Sequence, residues 1–132
     1  MDIKVSTQNG RVPGTVIHVD GKIDSSTHQV FQAKAEELIT GGSRYFLIDL
    51  SHTPYISSAG LRALHSLFNQ LRLLSPDVTD EEMRQGINAG TYKSPHLKLL
   101  NLTKEARMAF EMAGFDMYIE VFDDMKKAVE AF

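Results

Sequence analysis

The six residues Tyr45-Phe46-Leu47-Ile48-Asp49-Leu50 are apolar or aromatic at every position but one. Side chains of a strand alternate between two faces, so a nearly unbroken apolar run of this length predicts a central strand buried on both sides. The run passes through Ser51-His52-Thr53-Pro54-Tyr55-Ile56 to Ser57-Ser58. Beyond it Leu61, Leu64, Leu67, Phe68, Leu71 and Leu74 mark one face of a long amphipathic helix. A buried strand feeding a helix through a short loop points to layered α/β architecture rather than an all-β or all-helical fold.

The flanking segments agree. Ile3–Val5 is a short strand candidate, and Val12–Val19, with β-branched Val16, Ile17 and Val19, reads as a second strand ending at the Asp20-Gly21 turn. Lys22-Ile23-Asp24-Ser25-Ser26-Thr27 leads into a helix, with Ser26 and Gln29 at capping-box spacing. Val30, Phe31, Ala35, Leu38 and Ile39 recur at helical spacing up to Gly41-Gly42, which ends that helix. Downstream, Leu97–Leu100 reads as a strand, Thr103–Ala113 as a helix closed by Gly114, and Tyr118–Val121 as a short extended piece. Asp123 is placed to cap a last helix running to Phe132. Strands alternating with helices predict parallel neighbours joined by right-handed crossovers. The expected fold is an α/β sandwich, a mixed, mostly parallel sheet of four to five strands with about four helices packed on it.

Ser75–Pro95 departs from this economy. It is polar, carries Pro76, Gly86, Gly90 and Pro95, and exceeds the connection length usual in α/β units. Thr79 and Glu82 could form a capping box, which predicts a short helix over Asp80–Gln85. The span is read as an insertion at about 75–95, either a tolerated surface segment or a partner-contacting or lid element.

Composition removes several classes of function. A chain of 132 residues fits one domain with a single core. A net charge of −3 without a basic stripe argues against nucleic acid as a partner. No apolar run reaches the roughly 18 residues of a membrane span, and the opening Met-Asp-Ile-Lys-Val lacks a signal-peptide pattern; no membrane insertion and a cytoplasmic location are expected. The absence of cysteine rules out disulfides and thiolate metal sites. His18, His28, His52, His65 and His96 are scattered without metal-ligand spacing. Tyr55 and Ile56 stand before the serines, so the Gly-x-Ser-x-Gly elbow of hydrolases is missing, as is a Gly-rich phosphate loop with lysine. The chain is therefore expected not to be an enzyme and to hold no catalytic residue, metal or cofactor.

The informative stretch is the strand–loop–helix junction at Ser57-Ser58. The first turn of a helix has free N–H groups and the positive end of the macrodipole, so a phosphate there is locally favoured. A flat protein interface centred on the same serine would not accept roughly two negative charges so easily. Either serine could equally serve only as an N-cap, worth about 1 kcal/mol.

Asp49-Leu50-Ser51 followed by Tyr55-Ile56-Ser57-Ser58-Ala59-Gly60-Leu61 resembles the signature of STAS domains, the fold of anti-sigma factor antagonists and of the cytoplasmic tails of sulfate transporters. Val19-Asp20-Gly21-Lys22-Ile23-Asp24-Ser25-Ser26-Thr27 resembles a second common stretch of that family. Two stretches in order and spacing make the resemblance fairly specific. It covers nearly the whole chain, so residues 1–132 are expected to form a single STAS-like domain, with 75–95 as the extra insertion. In the antagonists the pattern is aromatic–apolar–Asp–Ser–Ser/Thr–Gly–Leu, and the serine after the Asp takes the phosphate. Ser57 falls where that Asp usually stands, Ser58 falls on the acceptor, and Ala59 replaces the second hydroxyl residue.

The resemblance implies a phosphorylation-controlled binding module. Unphosphorylated, it would dock on an anti-sigma factor that is also a serine kinase and so release a sigma factor. The kinase would supply ATP, magnesium and the general base for phosphorylating Ser58 (Ser57 as second choice), and a serine phosphatase would reset the cycle. The docking surface would comprise Asp24, Ser25, Ser26, Ser57, Ser58, Ala59, Gly60 and Arg62, although Asp24 also suits a helix terminus. A monomer is expected. The alternatives are a non-phosphorylated STAS scaffold subunit in a signalling or lipid-transport assembly, and a nucleotide-sensing module.

Overall fold

A computed structural model describes residues 1–76 and 78–132. Five strands, β1 (Asp2–Asn9), β2 (Pro13–Asp20), β3 (Phe46–His52), β4 (Leu97–Leu100) and β5 (Glu120–Phe122), form one sheet whose spatial order equals their sequence order. β1 and β2 are an antiparallel pair, and β2, β3, β4 and β5 run parallel. The parallel neighbours are joined through helices α1 (His28–Thr40), α2 (Ser58–Leu74) with α3 (Asp80–Ala89), and α4 (Lys104–Met112). A 3-10 turn at Phe115–Met117 precedes β5, and α5 (Met125–Glu130) follows it. The expected mixed, mostly parallel sheet is present, with five α-helices among the described residues where about four were expected.

β3 has the burial its composition predicts: Phe46, Leu47, Ile48 and Leu50 are fully buried. Alternation along the strands separates two apolar clusters. Ile17, Val19, Phe46, Ile48 and Leu50 pack with Phe31, Ala35, Leu64, Leu67, Phe68 and Leu71 of α1 and α2. Val16, Leu47 and Leu100 meet Ala128 and Val129 of α5 on the other face. α5 has only six residues. Beyond its reach the second face turns polar, with Lys4 and Ser6 of β1, His18 of β2 and Asp49 of β3, each in register with the apolar positions by the two-residue period.

Several sequence expectations need correction. β1 extends over eight residues instead of three, because it pairs with β2 along its whole length. The Ser26–Gln29 capping box does not form; Thr27 is the N-cap of α1 without a side-chain cap, and the Ser26 hydroxyl instead donates to Asp24. Asp124 rather than Asp123 caps the last helix, accepting from the N–H groups of Lys126 and Lys127. The short extended piece falls at Glu120–Phe122, since Phe115–Met117 coils first.

In the 75–95 span, of which Asp77 lies outside the described residues, the Thr79–Glu82 capping box has both of its hydrogen bonds and α3 follows it. No residue of α3 is buried. The chain then turns inward: Tyr92 and Ser94 are buried, so the end of the span is core rather than surface insertion. Gly86 makes this fold-back possible, since a Cβ there would lie 2.8 Å from Tyr92 Cβ.

Lys98 is the one buried charged residue on β4, 2% exposed, with Nζ 2.8 Å from Glu120 and facing the rings of Phe122 and Phe132 at 5.9 and 5.3 Å. Removing one partner of a buried pair leaves an uncompensated charge, whereas replacing the buried member by an apolar residue of similar size removes the desolvation cost as well. Glu120 is itself 38% exposed, which moderates the penalty. Glu120→Gln is expected to destabilise the fold by about 1–3 kcal/mol and Lys98→Met to be neutral or stabilising, read from urea unfolding.

Candidate functional site

The β3–α2 and β2–α1 loops meet at one end of the sheet, joined by main chain. Ile23 and Ile56, both buried, form a parallel bridge that prolongs the β2–β3 pairing. Gly21 N–H donates to His52 O, Ile23 N–H to Tyr55 O, and Ser57 N–H to Ile23 O at 2.9–3.0 Å. Thr53, buried, donates to Val19 O at 3.2 Å, while Thr103 donates to Thr53 O at 2.9 Å. These bonds satisfy backbone groups that would otherwise be orphaned at the ends of two strands.

Ser57 is the N-cap of α2: its backbone is extended and its hydroxyl accepts from Gly60 N–H at 3.3 Å. Ser58 is the first helical residue and is exposed. The N–H groups of Ser58 and Ala59 have no acceptor among the described residues, leaving two helix-end donors beside the Ser58 hydroxyl. The two serines thus divide the possibilities left open by the sequence, with the cap at Ser57 and the free hydroxyl at Ser58. Ala59 and Gly60, expected from the sequence among the docking residues, are buried and pack α2 inward. Gly60 is required by close approach, because a Cβ there would lie 2.5 Å from Ile23 O.

Asp24 organises the neighbouring loop. Its Oδ1 accepts from the Ser26 hydroxyl at 2.7 Å, the Ser26 N–H at 2.9 Å and the Thr27 hydroxyl at 3.2 Å, with Lys22 Nζ 3.5 Å from Oδ2. These donors, the Ser26 hydroxyl foremost, lower its pKa to about 2. Asp24 therefore holds Ser26 and Thr27 in place, with Ser25 and Ser26 both exposed. Because its folded pKa lies below the unfolded value of 3.8, the stability it contributes is present above about pH 4 and is lost as the pH falls toward 2. A carboxyl titration by NMR should find Asp24 half-protonated near pH 2. Asp24→Asn should flatten the fall in urea-unfolding stability between pH 4 and 2.

Beside Ser58 lies a shallow, mainly apolar groove of roughly 300 Å³, lined by Leu61, Arg62 and His65 of α2 and by Ala113 and Phe115 after α4. Arg62 is exposed. His65 is stacked on Phe115 at 5.7 Å and bonded through Nδ1 to Tyr118 Oη at 3.1 Å. Burial pushes the Tyr118 phenol up to about 12, so it remains a neutral hydrogen-bonding group. Sequence reasoning missed Ala113 and Phe115 as part of this surface, since only the tertiary fold brings them to α2. Tyr55, 49% exposed on the loop before Ser57, was also missed. Its aromatic ring at a solvent-facing loop position was the available signal.

The sheet thus ends in two loops joined through main chain, with an exposed serine opening the central helix and a shallow groove beside it. The STAS domain model matches residues 3–78. The chain belongs to the STAS domain family. It is 26% identical over 114 residues (86% of this chain, 82% of the relative) to BtrV of Bordetella bronchiseptica, named as a candidate anti-sigma factor antagonist. Among solved structures, TM1081 of Thermotoga maritima, also a candidate anti-sigma factor antagonist, superposes with a TM-score of 0.73 at 11% identity, covering 97% of this chain and 92% of that one. The Bacillus protein SpoIIAA, solved in phosphorylated form, gives 0.64 at 13% identity, covering 98% and 97%. Among the described residues no helix is long and apolar enough to cross a membrane.

Proposed function

We propose that this protein is an anti-sigma factor antagonist, a binding switch whose state is set by phosphorylation of Ser58. The observation that carries the reading is the junction itself. Ser58 is an exposed hydroxyl at the first position of α2, next to N–H groups left unpaired by the helix, on a rigid two-loop platform. Unmodified, the platform formed by Ser25, Ser26, Ser57, Ser58 and Arg62, held by Asp24, presents the uncharged Ser58 hydroxyl beside the mainly apolar groove. The partner is an anti-sigma factor with serine kinase activity, which brings its own nucleotide and metal.

Phosphorylation places a charge of about −1.5 to −2 on Ser58. The helix end tolerates it, because the macrodipole and free N–H groups favour an anion there. The docked partner does not, because a charge of that size at the centre of a contact must lose its hydration, which the single guanidinium of Arg62 on the next turn of α2 does not replace. The domain thus keeps its fold while the complex dissociates, and a phosphatase restores the neutral serine. The protein acts by occupying its partner, as a monomer in the cytoplasm, and performs no step of the phosphoryl transfer.

Intact mass with phosphosite mapping on protein from its native cell tests this. A fraction heavier by about 80 Da, mapped to Ser58 and absent in Ser58→Ala, is the expected result. Protein that stays unmodified through growth and stress, while co-purifying in a stable assembly, would replace the switch with a constitutive scaffold.

A further inference from the structure

On the open half of the second sheet face, three side chains from three adjacent strands form a connected line. Ser6 Oγ of β1 lies 2.9 Å from His18 Nε2 of β2, and His18 Nδ1 lies 2.8 Å from Asp49 Oδ2 of β3. Asp49 is only 15% exposed and His18 34% exposed, so the pair is shielded without being closed off. Burial alone would raise the Asp49 pKa, but hydrogen bonds from His18 and from Ser51 outweigh it and hold the carboxyl below its ordinary value. An ionised Asp49 accepts from Nδ1–H, which fixes the neutral imidazole in the tautomer whose Nε2 lone pair faces the Ser6 hydroxyl.

The strand register produces this order. Ser6 is opposite Val16 and Lys4 opposite His18, while His18 is paired with Asp49, so all three groups rise from one face, His18 and Asp49 two residues beyond Val16 and Leu47 of the apolar cluster and Ser6 level with Val16. His18 and Asp49 also line an open cavity of roughly 550 Å³ with Lys4, His52, Asp2 and Asp20; Ser6 stands outside its lining and meets it through His18. β1 is the edge of the sheet, so Ser6 can be approached from solvent.

The geometry points to Ser6 as an activated nucleophile that takes the acyl group of small activated esters, with His18 as its base and Asp49 as the group that orients and stabilises the imidazole. Ser6 Oγ bonds to the acyl carbon as its proton passes to His18 Nε2. The bond from that carbon to the leaving-group oxygen then breaks, and the proton from Nε2 departs with the leaving alcohol. Water, giving a proton to the same nitrogen, attacks the acyl carbon; the bond from that carbon to Oγ breaks, Oγ takes the proton back from Nε2, and the carboxylic acid leaves. This chemistry lies on a different surface from Ser58 and does not depend on the switch.

Two probes of the full chain test it: a fluorophosphonate, which forms a bond from Oγ to phosphorus with loss of fluoride, and p-nitrophenyl acetate. A single adduct mapping to Ser6 is expected, absent in Ser6→Ala and formed at least 100-fold more slowly in His18→Ala, with nitrophenol release falling in parallel. Free imidazole should restore part of the rate in His18→Ala, which a merely structural histidine would not allow. Ser6 is on the edge strand and half-buried, so Ser6→Ala carries the test even if His18→Ala unfolds. No adduct at Ser6, or one no faster than at the other exposed serines, overturns the assignment and leaves the line of bonds as a tie between strands.

Discussion

Ser58→Glu will bind the anti-sigma partner at least about 100-fold more weakly than the wild-type chain, whereas Ser58→Ala will bind as tightly and accept no phosphate. The size follows from desolvation: an uncompensated charge in the centre of a contact costs about 2–5 kcal/mol, and 100-fold is about 2.7 kcal/mol. The fold should not suffer, because a carboxylate in the first turn of α2 interacts favourably with the helix dipole. The melting temperature of Ser58→Glu should equal or slightly exceed that of the wild type. Calorimetric titration with the purified partner, alongside thermal melts, separates the two effects. Undiminished binding by Ser58→Glu would remove charge at this residue as the basis of the switch.

Gly60→Ala is the second large effect, and it falls on stability. Alanine is the better helix former by about 1 kcal/mol, so propensity alone predicts a gain. The site reverses that expectation. The new Cβ would lie 2.5 Å from Ile23 O and 2.8 Å from Ile56 Cγ2, and the nearest atom is backbone that cannot rotate away. Overpacking of this kind costs about 1–3 kcal/mol or more. A net loss of up to about 2 kcal/mol is expected, seen as a fall in melting temperature of up to roughly 10 °C. Relief requires α2 to move off the Lys22–Asp24 segment, which would also shift Ser58 relative to Ser25 and Ser26. Partner affinity should therefore drop with stability, although no docking side chain is touched. Gly60→Ala with unchanged stability would mean that the two loops separate at little cost.

Much of the architecture could be read from the chain because burial and periodicity coincide. Phe46–Leu50 is buried almost throughout, and the leucines of α2 lie on one face. The Thr79–Glu82 box was legible because a cap is a local interaction, set by spacing alone. Ser26 and Gln29 had the same spacing and failed, because Asp24 competes for the Ser26 hydroxyl and N–H. At the site, the strand–loop–helix motif indicated Ser57 and Ser58, yet not which was cap and which was free. That distinction depends on Ser57 being pulled into an extended backbone by its bond to Ile23 O. Ala113 and Phe115 reach the groove, and Ser6 reaches His18, through contacts between residues far apart in sequence, where no local spacing gives a signal.

The Ile23–Ile56 bridge has a consequence for how such a module could diversify. The two loops are held by main-chain bonds and by buried isoleucines, so the shape of the platform does not depend on the side chains it displays. Ser25, Tyr55 and Arg62 can change identity without loosening the frame beneath them. A cell containing several such chains could keep one geometry and vary only these exposed positions, so that each recognises its own partner and ignores the others. Insulation between parallel circuits would then lie in a few surface residues, while the hidden contact at Gly60 stays fixed in all of them.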